Sequence, residues 1–187
     1  TTRIVHGYIQ AKAKRIKGCS FRFNRISVTG TENLIMAAVL AEGKTIIENA
    51  ACEPEVTDLI DLLKKMGAKI NVTNTRTIAI EGVGKLHGAR HRVIPDRIEA
   101  GTFLAAAGIT HGHLILQRCR PDHMRTVIDK LRETGMIIKI RNKTTLEAIA
   151  APKLKAADLV TDVYPGFATD MQAQYMALAT QAEGKSV

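Results

Sequence analysis

The sequence predicts an α/β protein built from a repeated β-α-β-α-β-β unit. Three segments share one order: a helix rich in small apolar residues, a glycine, and then a strand-like run wherever the chain continues. The glycines, Gly43, Gly112 and Gly184, are spaced 69 and 72 residues apart. After the first two of these segments comes a second, amphipathic helix and two more strand-like runs, so the unit repeats about every 70 residues.

The first helix of each unit is predicted from its Ala- and Leu-rich run, which covers residues 34–42, 103–111 and 176–183. Each helix is expected to end at its glycine, because only glycine adopts the left-handed conformation without a Cβ penalty. Strands are expected next, at residues 44–48 and 113–116.

The second helix of each unit is predicted from a proline in its first turn and an apolar stripe. Pro54 and Pro121 suit a first turn, where the missing N–H is not needed. Apolar residues then recur at helical spacing, and Gly67 and Gly135 are expected to end the two helices. Strands are predicted after them at residues 68–72, 77–81, 137–140 and 145–149.

The two helix types predict a layered arrangement. The first helix is apolar nearly all round and is expected to be buried on most sides, whereas the second has one polar face. Helices inside and sheets outside would satisfy both. The third unit stops after its first helix, so the 187 residues hold about two and a half units.

Composition limits the class of protein. With 45% apolar and 24% charged residues, the chain is expected to fold rather than to be disordered. It has no apolar run of about 18 residues, so no transmembrane helix is predicted. Three cysteines without a CxxC pair predict neither a disulfide scaffold nor a zinc site, and a reducing cytoplasm is the expected location. The first residue is Thr1 and no leader follows, so we expect no signal peptide and a piece of a longer chain.

The formal net charge of +9 favours anionic partners. Nucleic-acid-binding surfaces usually interleave aromatic residues with their cations, but here aromatics make up only 4% of residues. A solvated basic face is therefore the first interpretation, phosphorylated small molecules are the second, and neither a nucleic acid nor a membrane is expected as a partner.

The segment from Arg25 to Asn33 predicts the start of a helix. Thr29 and Glu32 have the spacing of a capping box, in which each side chain satisfies a free amide of the first turn. The Ser, Thr and Gly residues at the positive end of this helix would also suit an anion. An ordinary capped helix explains the same pattern.

A second helix start is predicted after the Pro165-Gly166 turn. Thr169 or Asp170 is expected to cap the following helix. Since a carboxylate has two oxygens, Asp170 could hold the helix with one and face a cleft with the other.

Four motifs together resemble the UDP-N-acetylglucosamine enolpyruvyl transferase family, and the resemblance runs nearly from end to end of the chain. They are VTGTENL (28–34), ENAACEPE (48–55), PDRIEAGTF (95–103) and FATDMQAQ (167–174). The resemblance implies the inside-out α/β barrel of the enolpyruvyl transferases, with two domains of three units each. It places residues 1–94 in the first barrel domain, on the UDP-sugar side, and residues 95–187 in the second.

The resemblance also implies an activity in peptidoglycan synthesis, which links it to cell shape and division. The family transfers the enolpyruvyl group of phosphoenolpyruvate to the 3-hydroxyl of UDP-N-acetylglucosamine and needs no cofactor or metal. Asp170 matches the residue assigned as base for that hydroxyl and also contacts the sugar. The segment that binds the uridine diphosphate corresponds to Arg25, Ile26, Ser27 and Val28, with Arg25 where many members have lysine. Glu53 and Thr169 are expected to line the cleft, although for Glu53 the role of a charged residue beside the first-turn proline is a comparable alternative.

Other functional parts of the family have no counterpart among these residues. They are a Lys-Asn pair, a mobile loop whose acid is Cys or Asp, and arginines that clamp phosphoenolpyruvate. The chain is therefore expected to need further parts of its own polypeptide and to be inactive alone. Three alternatives stay open: a 5-enolpyruvylshikimate-3-phosphate synthase-like transferase, a non-catalytic sugar-nucleotide-binding paralogue, and an RNA-cyclase-like protein.

Overall fold

A computed structural model describes all residues from 1 to 187 and divides them into two compact units, Thr1–Val93 and Ile94–Val187. Each unit has its own apolar core. The assignment of residues 1–94 and 95–187 to two different barrel domains stays a prediction.

Unit 1 contains six strands and two helices. The strands are β1 (Thr2–Val5), β2 (Tyr8–Ala11), β3 (Ser20–Arg22), β4 (Lys44–Glu48), β5 (Lys69–Asn74) and β6 (Thr77–Glu81). The helices are α1 (Val28–Ala38) and α2 (Pro54–Lys65). A hairpin of β1 and β2 stands apart from a four-stranded sheet of order β3-β4-β6-β5, in which only the β3–β4 pair is parallel.

Unit 2 contains five strands and three helices. The strands are β7 (His113–Gln117), β8 (Ile137–Asn142), β9 (Thr145–Ile149), β10 (Leu154–Lys155) and β11 (Ala182–Glu183). The helices are α3 (Arg97–Ile109), α4 (Arg125–Glu133) and α5 (Gln172–Ala179). Two 3₁₀ turns, Pro121–His123 and Thr169–Met171, precede α4 and α5. The main sheet has the order β7-β9-β8 and is antiparallel throughout.

The predicted repeat is confirmed in the register of the two sheets. The trio β4-β6-β5 and the trio β7-β9-β8 have the same order and direction. Each also has a shift of one residue near its hairpin turn, between Val72 and Asn74 in unit 1 and between Ile140 and Asn142 in unit 2. The two units therefore share their local geometry, so equivalent positions can be compared directly.

The apolar stripes of α2 and α4 form the contact between helix and sheet. On α2, Val56, Ile60 and Leu63 are at most 6% exposed. The stripe of α4 is also buried and consists of Val127, Ile128 and Leu131. Burying each such side chain contributes roughly 1.5–3 kcal/mol. These stripes confirm the amphipathic prediction and fix which face of each second helix is polar.

The first helices are less buried than the sequence predicts. Met36 on α1, Phe103 on α3 and Met176 on α5 are 46%, 50% and 58% exposed. Within its own unit, α1 packs on α2, β4 and β6, and α3 packs on α4, α5, β7 and β9, whereas α5 packs mainly on α3. The expectation of burial on most sides is therefore wrong for α5, which buries two of its eight residues, while α1 buries three of eleven and α3 six of thirteen.

Two of the predicted glycine helix ends are confirmed. Gly67 and Gly135 directly follow the caps of α2 and α4, with φ of +98° and +93°. After α2, the amides of Gly67 and Ala68 return to the carbonyls of Lys64 and Leu63, which satisfies the end of the helix.

The other glycines do not end their helices as predicted. After α3, His111 takes the left-handed position with φ of 51°, and the amide of Gly112 donates to the Ala107 carbonyl at 2.8 Å. The same motif is thus formed one residue earlier than expected, because α3 already ends at Ile109. Gly43 and Gly184 are left-handed, but they lie four or more residues beyond their helices.

None of the five α-helices is both long enough and apolar enough to cross a membrane.

Candidate functional site

The start of α1 is set by Ser27. Its backbone is extended, with φ −136° and ψ 119°, and its Oγ accepts a hydrogen bond from the Gly30 amide at 3.1 Å. Ser27 is therefore the N-cap. The predicted capping box of Thr29 and Glu32 is wrong, because the helix begins at Val28 and both residues already lie inside it.

The residues around this cap alternate between the core and the solvent. Ile26 and Val28 are half-buried and pack against the core of unit 1, whereas Arg25 is exposed. The Gly30 and Thr31 amides bond to Ser27, which leaves the amides of Val28 and Thr29 without an acceptor. The segment 25–28 therefore presents a guanidinium and two free amides at the positive end of a helix, an arrangement that suits an anionic group.

The corner between β4 and α2 is tied to α1. Thr31, which is completely buried, accepts a hydrogen bond from the Ala51 amide at 3.0 Å through its Oγ1. Asn49 holds a left-handed φ of 53°, and its Nδ2 donates to the Phe23 carbonyl at 2.9 Å. These bonds connect residues about 20 positions apart in the sequence, so they place the start of α2 beside the start of α1.

Glu53 lies at this corner, immediately before α2. It is 5% exposed, and its Oε2 has no hydrogen-bond partner, although it occupies the N-cap position. A buried carboxylate oxygen without a partner is costly, and the positive end of α2 offsets part of that cost.

Glu32 lies close enough to Glu53 and Glu55 to interact with their charges, whereas the sequence predicted only a helix-capping role for it. Burial raises its pKa, and the negative charges of Glu55 and Glu53 raise it further. The sequence holds a weak signal for this cluster, because three glutamates lie within the first turns of two helices predicted to be adjacent in one unit.

Asp170 and Thr169 lie in unit 2, in the 3₁₀ turn Thr169–Met171. Neither side chain caps a helix: the residue before the turn is Ala168, α5 begins at Gln172, and neither helix start has a side-chain cap. The predicted cap is wrong because the extra turn places both residues inside helical structure, whereas a cap requires the residue just outside.

Two buried neighbours hold this turn in place. Phe167 is 2% exposed and packs edge-to-face on Tyr175 with ring centroids 5.7 Å apart, and Met171 is 1% exposed. Thr169 and Asp170, which lie between them in the sequence, are exposed. The Asp170 carboxylate forms no hydrogen bond or ion pair, so both of its oxygens are available to accept a proton or a hydroxyl group.

No group of three or more His, Cys, Asp or Glu side chains is arranged to hold a metal ion.

Sequence relatives match almost the whole chain. The chain is 59% identical over 182 residues to UDP-N-acetylglucosamine 1-carboxyvinyltransferase of Acidobacterium capsulatum, and 58% identical over 183 residues to that of Koribacter versatilis. Each match covers 97% of this chain and 42% of the relative, so the chain spans about two fifths of the length of these relatives.

Solved structures confirm the fold. The enolpyruvyl transferase NikO from Streptomyces tendae superposes with a TM-score of 0.84 at 22% identity, over 98% of this chain and 47% of that one. EPSP synthase from Acinetobacter baumannii gives 0.63 at 23% identity, over 96% and 42% of the two chains. The predicted inside-out α/β fold of the enolpyruvyl transferases is therefore confirmed, in the part that this chain contains.

The profile of one family, EPSP synthase (3-phosphoshikimate 1-carboxyvinyltransferase), matches residues 3–187. Because this match covers nearly every residue, and the fold and the two close relatives agree with it, the chain belongs to this family of carboxyvinyl transferases.

Proposed function

We propose that the complete polypeptide carrying this chain transfers the enolpyruvyl group of phosphoenolpyruvate to the 3-hydroxyl of UDP-N-acetylglucosamine and releases phosphate. The observation that carries this proposal is the 59% identity, over 97% of the chain, to a relative named for that acceptor. The two structures named for other transferases are only 22–23% identical and support the fold alone.

Asp170 is the base in this proposal. Its exposed carboxylate has no competing partner, so it can accept the proton of a sugar hydroxyl. A carboxylate is a weak base towards an alcohol, so the proton must leave as the C–O bond forms. Thr169, in the same exposed turn, would line the sugar site beside it.

The segment 25–28 binds the diphosphate in this proposal. The Arg25 guanidinium and the free amides of Val28 and Thr29 supply positive charge and donors, while Ile26 anchors the segment on the core. Ser27 keeps its hydroxyl in the cap and holds the amides in position. Glu53, with its unpartnered oxygen, is a candidate acceptor for a donor group of the bound substrates.

Such a reaction would place the protein in the cytoplasm, where sugar nucleotides are used, and at a step of cell-wall synthesis. Both substrates are small molecules with phosphate groups, which agrees with the excess of basic residues.

The test is phosphate release by the complete polypeptide in the presence of phosphoenolpyruvate and UDP-N-acetylglucosamine. We expect release with this acceptor and none with shikimate 3-phosphate. Release only with shikimate 3-phosphate would overturn the proposal in favour of the related synthase. Binding of UDP-N-acetylglucosamine without any release would instead identify a non-catalytic sugar-nucleotide-binding protein.

A further inference from the structure

A groove of about 1020 Å³ lies in unit 2 between α4 and the β8–β9 turn. Its apolar lining comes from Pro121, Ile128 and Ile140, and Ile140 is 52% exposed. The charged lining consists of Arg120, Asp122, Arg125, Asp129, Arg132 and Lys143. None of the residues assigned to enolpyruvyl transfer lines this groove.

Two of the four cations are neutralised within the groove. Arg120 forms a two-point contact with Asp122, at 2.9 Å and 2.6 Å. Arg132 donates to Asp129 at 3.1 Å and to the Ile138 carbonyl at 2.7 Å and 3.1 Å. Both arginines and both aspartates are therefore committed to the protein itself.

The other two cations, Arg125 and Lys143, have no ion pair or hydrogen bond from their side chains. Arg125 is the first residue of α4, and Lys143 is in the turn between β8 and β9. Both are exposed and line the same groove, which leaves it with an excess of two positive charges. Two unpaired cations beside an apolar floor match a ligand with a dianionic head and an apolar body.

The repeat supplies a comparison within the same molecule. The α2 stripe aligns with the α4 stripe and the β5–β6 turn aligns with the β8–β9 turn, since Asn74 and Asn142 each accept a hydrogen bond from the amide two residues ahead. At these aligned positions, Arg132 corresponds to Lys64 and Asp129 to Asp61, so charges of the same sign stand there in both units. The two cations without a partner, Arg125 and Lys143, have no cationic counterpart in unit 1.

Thr57 stands in unit 1 where unit 2 has Arg125, and Thr75 stands where it has Lys143. Both threonines are exposed. Because unit 1 has threonine at both positions, the fold of the unit requires neither cation. In unit 2, Arg125 and Lys143 both line one groove.

We propose that this groove binds the phosphate group of a phosphomonoester, with Arg125 and Lys143 as the contacts to the phosphate and Ile140 beneath the organic part of the ligand. The site is additional to the one proposed for enolpyruvyl transfer.

The test is calorimetric titration of the complete polypeptide with phenyl phosphate, inorganic phosphate and phenol. The variant Arg125→Thr with Lys143→Thr copies the residues that unit 1 has at these positions. The matched control, Lys12→Thr with Lys14→Thr, removes two exposed charges from unit 1. Ile140→Thr tests the apolar floor.

We expect one phenyl phosphate site to weaken about tenfold or more in Arg125→Thr/Lys143→Thr and to be unchanged in the matched control, because each charged hydrogen bond contributes strongly to affinity. Ile140→Thr should weaken the binding of phenyl phosphate but leave the binding of inorganic phosphate unchanged. Phenol should not bind to the wild type or to any variant. Equal affinity in the wild type and in Arg125→Thr/Lys143→Thr, or an equal loss in the matched control, would overturn the proposal. Because enolpyruvyl transfer does not use these residues, turnover in Arg125→Thr/Lys143→Thr should equal that of the wild type.

Discussion

At the scale of single residues, the exposed carboxylate of Asp170 combines a fixed position with free oxygens. Phe167 and Met171, both buried, hold the turn on its two sides, while the carboxylate itself bonds to nothing. A residue of this kind contributes little to stability and is available for chemistry.

Asp170→Ala in the complete polypeptide is therefore expected to cut kcat about a hundredfold or more, in line with the loss of a general base. The free energy of unfolding should change by less than about 0.5 kcal/mol, as for other exposed positions. Phosphate release and urea unfolding measure the two effects. Wild-type turnover in this variant would refute the role of Asp170, and a large loss of stability would show that the carboxylate is structural.

The ion pair of Arg120 and Asp122 is a second feature of single residues. The hydrogen bonds from Arg120 lower the pKa of Asp122 to about 2. Since the pKa of Asp122 is lower in the folded state than in the unfolded state, near 3.9, the pair stabilises the fold above about pH 4. That contribution is lost as the pH falls towards 2.

Arg120→Gln should return the pKa of Asp122 towards its ordinary value, measured by NMR titration of the carboxyl carbon. Arg132→Gln serves as the control, because Arg132 pairs with Asp129 instead. A titration midpoint that stays near 2 in Arg120→Gln would show that another group holds the Asp122 charge.

At the scale of elements, the packing of α3 depends on its glycines. A Cβ added at Gly101 would lie 2.7 Å from Cε and Sδ of Met171, a residue that is 1% exposed. Alanine normally stabilises a helix interior by about 1 kcal/mol relative to glycine, whereas overpacking a core costs about 1–3 kcal/mol.

Gly101→Ala is therefore expected to lower the free energy of unfolding, measured with urea, although helix propensity alone predicts a gain. The loss of unfolding free energy caused by Gly101→Ala should be smaller when Met171 is also replaced by alanine, because the crowded side chain is then missing. An unchanged cost in both backgrounds would mean that contact with Met171 is not its origin.

Some helix ends are set by a single residue, and others are set by contacts with residues distant in the sequence. Gly67 and Gly135 end α2 and α4 as the sequence predicts, because the left-handed position there depends on the residue itself. The start of α1 could not be located in the same way, since Ser27, Thr29 and Thr31 are all suitable caps. The helix begins at Val28, which commits Thr31 to the Ala51 amide instead.

At the scale of the whole molecule, the chain spans 42% of the length of the relatives from Acidobacterium capsulatum and Koribacter versatilis. The resemblance assigns the loop acid and the phosphoenolpyruvate arginines to segments other than residues 1–187. We therefore expect this 187-residue chain, expressed alone, to release no phosphate from phosphoenolpyruvate and UDP-N-acetylglucosamine.

The measurement is the same phosphate assay, with the complete polypeptide as the positive control and circular dichroism as the check that the shorter chain is folded. Turnover by the folded 187-residue chain at a rate near that of the complete polypeptide would show that its residues suffice.

The sequence by itself determined the repeat, the hairpin strands 77–81 and 145–149, the stripes of α2 and α4, and the family. The strands and stripes depend on residue type and spacing within one element, and the repeat and the family depend on residue types at fixed places along the chain. All of them can be read without knowing which elements pack together. Tertiary structure alone decided the burial of Glu53, the exposure of Asp170 and the placement of Arg125 and Lys143 in one groove. Each of those outcomes depends on contacts between residues distant in the chain, and no local pattern encodes which groups those contacts cover or leave free.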